Sequence, residues 1–229
     1  MDGVSFTVGT GEVLGIAGPN GAGKTTLFDT ITGHTIATTG EIVLAGQSVR
    51  GTKIHHRCRL GLARTFQHPV VADTLTALEN AYLAASFRQG RSGRRSRKDD
   101  VAAGAAALAA VGLERHAETR AALLPVYDRK RLMLATALAT DPLVLLLDEP
   151  FGGLNPQEID DTIGLIRRIR GSGVAVVVIE HVMRALVALA DRVLVMHHGA
   201  EIFVGTPQEM LSDRRVIEVF LGSSGGRSG

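Results

Sequence analysis

The sequence is short of cysteine, of long apolar runs and of net charge, and each shortage closes off a class of protein. Cys58 is the single cysteine in 229 residues. No internal disulfide framework is therefore possible, which suits a reducing cytosol. No apolar run nears the ~18 residues that a membrane-spanning helix needs. The start, MDGVSFTVGTGEV, lacks the basic stretch followed by an apolar one that marks a secretory signal. A soluble, intracellular chain is the expectation. The formal net charge of +2 is too small to argue for nucleic acid as a partner.

What is present reads as an ordinary globular chain, 45% hydrophobic and 21% charged, long enough for one domain with a subdomain. VLGIA (13–17) is an apolar run ending in glycine, the pattern of a buried parallel strand. TTLFDTIT (25–32) has helical spacing and stops at Gly33, a good C-cap. EIVLAG (41–46) reads as a second strand. From about Asp73 to residue 140 the pattern is helical, with little sign of strand. LVLLLDEP (143–150) and GVAVVVIEH (173–181) return to strands that end in acidic or imidazole groups. RVLVMHHGAEIFVGT reads as a hairpin turning at His198–Gly199. PQEML and RVIEVFLG read as short helices, and residues 222–229 as a disordered tail. There are no repeats. The basic run RQGRSGRRSRK (88–98) is either a solvated connector or a contact for lipid headgroups or an acidic surface. Strands alternating with helices, then a helical insert, then strands again predict an α/β core carrying a helical subdomain.

GPNGAGKT (18–25) matches G-x-x-x-x-G-K-[ST] and lies between a predicted strand and a predicted helix, the context that gives the pattern meaning. The loop Gly18, Pro19, Asn20, Gly21, Ala22 and Gly23 lets backbone N–H groups close around phosphates, aided by the helix N-terminus. Lys24 reaches the β- and γ-phosphates, Thr25 holds Mg²⁺, and Thr26 bonds the α-phosphate. The expected ligand is ATP with Mg²⁺.

LVLLLDEP delivers Asp148 and Glu149 to the C-terminal end of a buried strand, where α/β sheets bind ligands. Asp148 suits the metal shell. Glu149 is placed to polarise water for in-line attack on a γ-phosphate. His181 also ends an apolar strand, and beside such a loop it fits a γ-phosphate sensor. The remaining histidines, including His55 and His56, lack partners at metal-ligand spacing and read as surface residues.

The words GPNGAGKTT, RTFQ, LLLDEP, GGLN and VVVIEH, in that order, resemble the ATP-binding subunits of ABC transporters, from Val4 to about Gly222. ARTFQ followed by LTALEN, FGGLNPQE and VIEVFLG are similar to the branched-chain amino acid uptake type, with words shared by amide and urea cassettes. The resemblance implies a P-loop NTPase (RecA-like) core with an antiparallel β part, over 1–72 and 141–221, and a helical subdomain over 73–140 that docks on a permease. It implies that Gln67 touches Mg²⁺ and the attacking water, that Gly152 to Asn155 cross to a partner cassette, and that His181 is the switch histidine. A peripheral place on the inner face of the cell membrane, permease subunits and a solute-binding protein follow from it.

Two departures stand out. Relatives carry an earlier segment with an aromatic that stacks on adenine, and no aromatic precedes Phe6 here. The family signature Leu-Ser-Gly-Gly-Gln, counted back without gaps from LATALATDP, falls on Leu124, Pro125, Val126, Tyr127 and Asp128. That serine and those glycine amides clamp the ATP of the opposite subunit. Pro125 has no N–H to donate, and Val126 and Tyr127 put side chains where backbone must come close. A charge on Asp128 ~5 Å from a phosphate costs roughly 3 kcal/mol at an effective dielectric near 20. The residue types favour a plain helix start at Leu124–Asp128, with a slipped register as the alternative. An ATPase subunit working in an unequal pair is the leading expectation. A non-hydrolysing regulatory subunit is the other.

Overall fold

A computed structural model describes residues 3–87 and 96–222. In chain order the elements begin with β1 (Val13–Ala17), α1 (Lys24–Thr32), β2 (Val43–Leu44), β3 (Gln47–Ser48), α2 (Ile54–Arg59) and β4 (Leu62–Arg64). The helical stretch holds α3 (Ala77–Ser86), α4 (Arg97–Ala110) and α5 (Val126–Ala139), with short 3-10 turns at Glu114–His116 and Ala121–Leu123. Then come β5 (Val144–Asp148), α6 (Pro156–Gly171), β6 (Ala175–Ile179) and α7 (Met183–Leu189). The last elements are β7 (Arg192–His197), β8 (Ala200–Gly205), α8 (Pro207–Ser212) and α9 (Arg214–Gly222). Both the 222–229 tail beyond Gly222 and most of the basic run lie outside the described residues. Among the described residues no helix is long and apolar enough to cross a membrane.

The chain forms two compact units, Met1–Gly40 with Leu146–Gly229, and Glu41–Leu145. In the first, the strand order is β5-β6-β1-β7-β8. β1 runs parallel to β6 (Val13↔Val176, Ile16↔Ile179) and to β7 (Leu14↔Arg192, Ala17↔Val195). Every residue of β1 and β6 is buried, which is why both read as unbroken apolar runs and not as alternating ones. Gly15 is required in β1: a Cβ there would lie 2.5 Å from Leu186 Cδ1 of α7. β7 and β8 pair antiparallel around His198 (φ 48) and Gly199 (φ 79), the two left-handed residues that a tight hairpin of this hand needs.

The second unit is built on α3, α4 and α5. Thr76 and Glu79 close a capping box at the start of α3, and Ser96 and Asp99 do the same for α4. Gly104 lets α4 approach α3, since a Cβ there would sit 2.8 Å from the Tyr82 nitrogen. The run before α3 is laced to the run before α5 by Ala77 N–H to Thr119 O (2.9 Å) and Ala121 N–H to Leu75 O (2.9 Å). β4 lies beside the start of β5, with Leu143 N–H and Val144 N–H both donating to Gly61 O.

Two expectations change. EIVLAG shortens to the two residues of β2, because Ala45 (φ 50) and Gly46 (φ 76) turn at once into β3. The seam between units falls at Gly40/Glu41 and Leu145/Leu146, wider than the helical stretch 73–140. The β2–β3 hairpin, α2 and β4 go with the helices, through contacts such as Gly61 with Leu143 that join residues distant in sequence.

Candidate functional site

β1 ends in the loop 18–23, whose shape depends on its glycines. Gly18 has φ 146, and a Cβ on it would lie 2.2 Å from Met196 O, so β7 presses directly against the loop. Gly21 (φ 81) and Gly23 (φ 100) are also left-handed. Ala22 N–H donates to Pro19 O at 3.2 Å, and Gly199 N–H to Ala22 O at 2.9 Å, which ties the loop to the β7–β8 turn. Gly23 is the N-cap of α1 and brings no side-chain cap. The first N–H groups of that helix therefore have no side-chain cap, which suits an anion at the positive end of the helix dipole.

Lys24 folds back across the loop and donates from Nζ to Gly18 O (2.6 Å) and Pro19 O (3.0 Å). Burial holds its pKa below the ordinary 10.5, while the nearby charges of Glu149 and Asp148 pull the other way. One ammonium thus stands near two carboxylates, a donor set of hard oxygens and cations suited to a triphosphate with Mg²⁺. Thr25 and Thr26 are exposed in the first turn of α1, and Asn20 and Gly21 at the loop's rim.

Asp148 is buried at the end of β5, and Glu149 follows in the left-handed region at φ 47. That conformation is strained for a side chain with a Cβ, and such strain gathers at functional positions. Glu149 N–H is held by Ile179 O at 3.0 Å, which registers the turn against β6. His181 projects from the end of β6, with Nδ1 3.7 Å from Glu149 Oε2. Lys24, Asp148, Glu149 and His181 therefore converge at one edge of the sheet. Gln67 is exposed in the other unit, three residues after β4, and Phe66 N–H beside it donates to Met133 Sδ at 3.5 Å.

Three features were not read from the sequence. Glu180 is fully buried between the Glu149 turn and His181; a carboxylate closing an otherwise apolar strand was the available signal. Asn155 spends its side chain capping α6, accepting Glu158 N–H at 3.0 Å. At Leu124–Asp128 the expected helix start is present, with Pro125 as the N-cap of α5 and no side-chain cap bond, and the unread feature is the partner of Asp128. Asp128 lies in the first turn, where its carboxylate pairs with Arg131 instead of capping backbone. The guanidinium of Arg131 stacks on Tyr127 at 4.9 Å.

A model of the ABC transporter family matches residues 1–152. The chain is 35% identical to the high-affinity branched-chain amino acid transport ATP-binding protein BraF of Pseudomonas aeruginosa, over 98% of this chain and 92% of that protein. It is 31% identical to the lipopolysaccharide export system ATP-binding protein LptB of Escherichia coli, over 97% and 90%. Its structure is similar to the ADP conformation of MJ1267, an ATP-binding cassette of an ABC transporter, with TM-score 0.85 and 28% identity over 97% of this chain and 92% of that one. With the phosphate-binding loop, the paired carboxylates and a family match that spans more than half of its length, the chain belongs to the ABC transporter family, as one of its ATP-hydrolysing cassettes.

Proposed function

We propose that the chain powers an importer of branched-chain amino acids or related small polar solutes, bound to permease subunits at the inner face of the membrane. The solute class is supported by the resemblance to BraF, which is a branched-chain amino acid transport protein by name. In this reading the loop 18–23 and Lys24 hold the β- and γ-phosphates of ATP. Thr25 and Asp148 would hold Mg²⁺, which neutralises phosphate charge when bound. Glu149 takes a proton from water, the water oxygen bonds to the γ-phosphorus, and the bond to the bridging oxygen of ADP breaks. His181 holds the γ-phosphate group against Glu149. The observation that carries this assignment is the 3.7 Å approach of His181 Nδ1 to Glu149 Oε2 beside the buried Lys24. Glu149→Gln is expected to bind ATP and lose hydrolysis at least 100-fold, measured by phosphate release and by nucleotide trapping. Wild-type turnover by that variant removes Glu149 from the role of base.

The chain works best as half of an unequal pair. Pro125 at the N-cap has no N–H, Val126 is 68% exposed at the first helical position, and the Tyr127 ring is committed to Arg131. Those three leave little of a clamp for a partner's ATP, whereas the loop at 18–25 is complete. A partner with an intact serine-glycine signature supplies the missing clamp. ATP hydrolysis by the purified chain alone, then with such a partner, tests this; fast turnover by the lone chain overturns it.

A further inference from the structure

We infer that Glu180 is a positioning residue for hydrolysis, a buried carboxylate that sets the distance between Glu149 and His181. The inference rests on the roles proposed above for those two side chains. Glu180 is 0% exposed, and its partners are backbone N–H groups from two loops. Oε1 accepts from Phe151 N–H at 3.0 Å, in the turn that carries Glu149. Oε2 accepts from His181 N–H and Val182 N–H, both at 2.8 Å.

The carboxylate therefore bridges the segment after β5 to the segment after β6. Glu149 N–H to Ile179 O (3.0 Å) ties the same turn to the end of β6 through backbone, and Glu180 adds the side-chain tie between the two loops. Glu149 sits in a strained left-handed conformation, and Val182, the N-cap of α7, makes no side-chain cap bond. His181 Nδ1 is 3.9 Å from Glu180 Oε2 and 3.7 Å from Glu149 Oε2, so the imidazole is within reach of both carboxylates. A carboxylate suits this place because it accepts on both oxygens and donates from neither. A glutamine offers one acceptor, and its amide NH₂ would face an N–H donor on one side or the other. One of the two loops must then lose its anchor. Glu180 reaches no phosphate in this arrangement; it acts through Glu149 and His181.

The test uses the full chain and separates positioning from plain stability. Glu180→Gln is expected to lose at least tenfold in kcat, with affinity for the non-hydrolysed analogue AMP-PNP within twofold of wild type. Glu180→Asp is the second variant, in case the amide does not fold. Its shorter carboxylate keeps the local bond to the N–H two residues on but falls short of Phe151. A severalfold drop in kcat with unchanged AMP-PNP affinity is expected from it. Wild-type kcat in either folded variant overturns the inference. So does a loss of kcat that runs in step with lost affinity and a lowered Tm, since that is the mark of a structural role. Glu149→Gln measured alongside keeps the two ideas apart. If it hydrolyses normally, the base assignment fails. If it is inactive while Glu180→Gln is not, only the positioning inference fails.

Discussion

Replacing Arg131 by methionine should destabilise the start of α5. Arg131 donates to Asp128 Oδ1 from both Nε and Nη2, and reaches Val111 O (3.2 Å) and Gly112 O (3.4 Å) from Nη1. The two side chains are 23% and 13% exposed. The pair thus lies between an open surface ion pair, worth up to about 1 kcal/mol, and a buried one whose rupture costs about 3–5 kcal/mol. Arg131→Met leaves Asp128 charged and without its cation, and strips the C-terminal carbonyls of α4 of a favourable charge. A loss of about 2–3 kcal/mol follows, which lowers Tm by about 5–10 °C in a chain of this size. Asp128→Asn keeps an acceptor and should cost about 1 kcal/mol. The double variant Arg131→Met with Asp128→Leu should be less damaged than the sum, with a coupling of at least about 1 kcal/mol in a urea-unfolding cycle. A loss under about 0.5 kcal/mol, with no coupling, refutes the assignment. The result bears on function. A neutralised Asp128 repels a partner's phosphate far less than a bare charge, so the defect of the signature rests on Pro125, Val126 and Tyr127.

Other outcomes follow from the loop. Lys24→Met should abolish the ATP-induced rise in Tm. Burial holds the Lys24 pKa below 10.5, so the folded chain binds its proton less firmly than the unfolded one, and folding stability rises with pH on the approach to 10.5. A triphosphate favours the charged ammonium and raises that pKa again; calorimetry in two buffers along the alkaline limb should therefore show proton uptake on ATP binding, absent in Lys24→Met. Uptake that survives the substitution refutes this. Gly18→Ala places a Cβ 2.2 Å from Met196 O at φ 146. It should cost at least about 2 kcal/mol and weaken ATP binding; a variant of wild-type stability with wild-type affinity would show that the loop tolerates displacement.

The loop 18–25, the strands 13–17, 144–148 and 175–179, and the hairpin turn at His198–Gly199 were legible in the sequence because each is local. Glycines set the φ angles, contiguous apolar residues mark strands buried on both faces, and a lysine and threonine stand at fixed offsets from a helix start. The strand ends also announced Asp148, Glu149 and His181 as residues of one sheet edge. Tertiary structure alone decided how they meet. Whether Glu149 and His181 approach to 3.7 Å depends on β5 lying next to β6, and on Glu180 tying together two loops that are 29 residues apart in sequence. The partner of Asp128 was open in the same way, since an aspartate at a helix start serves equally as a dipole partner, a cap or half of an ion pair. The seam between the units was hidden too, because Gly61 packs on Leu143 across a long stretch of intervening chain. Spacing along a chain specifies backbone conformation; which distant side chains share a buried volume is settled only when the strands are ordered into a sheet.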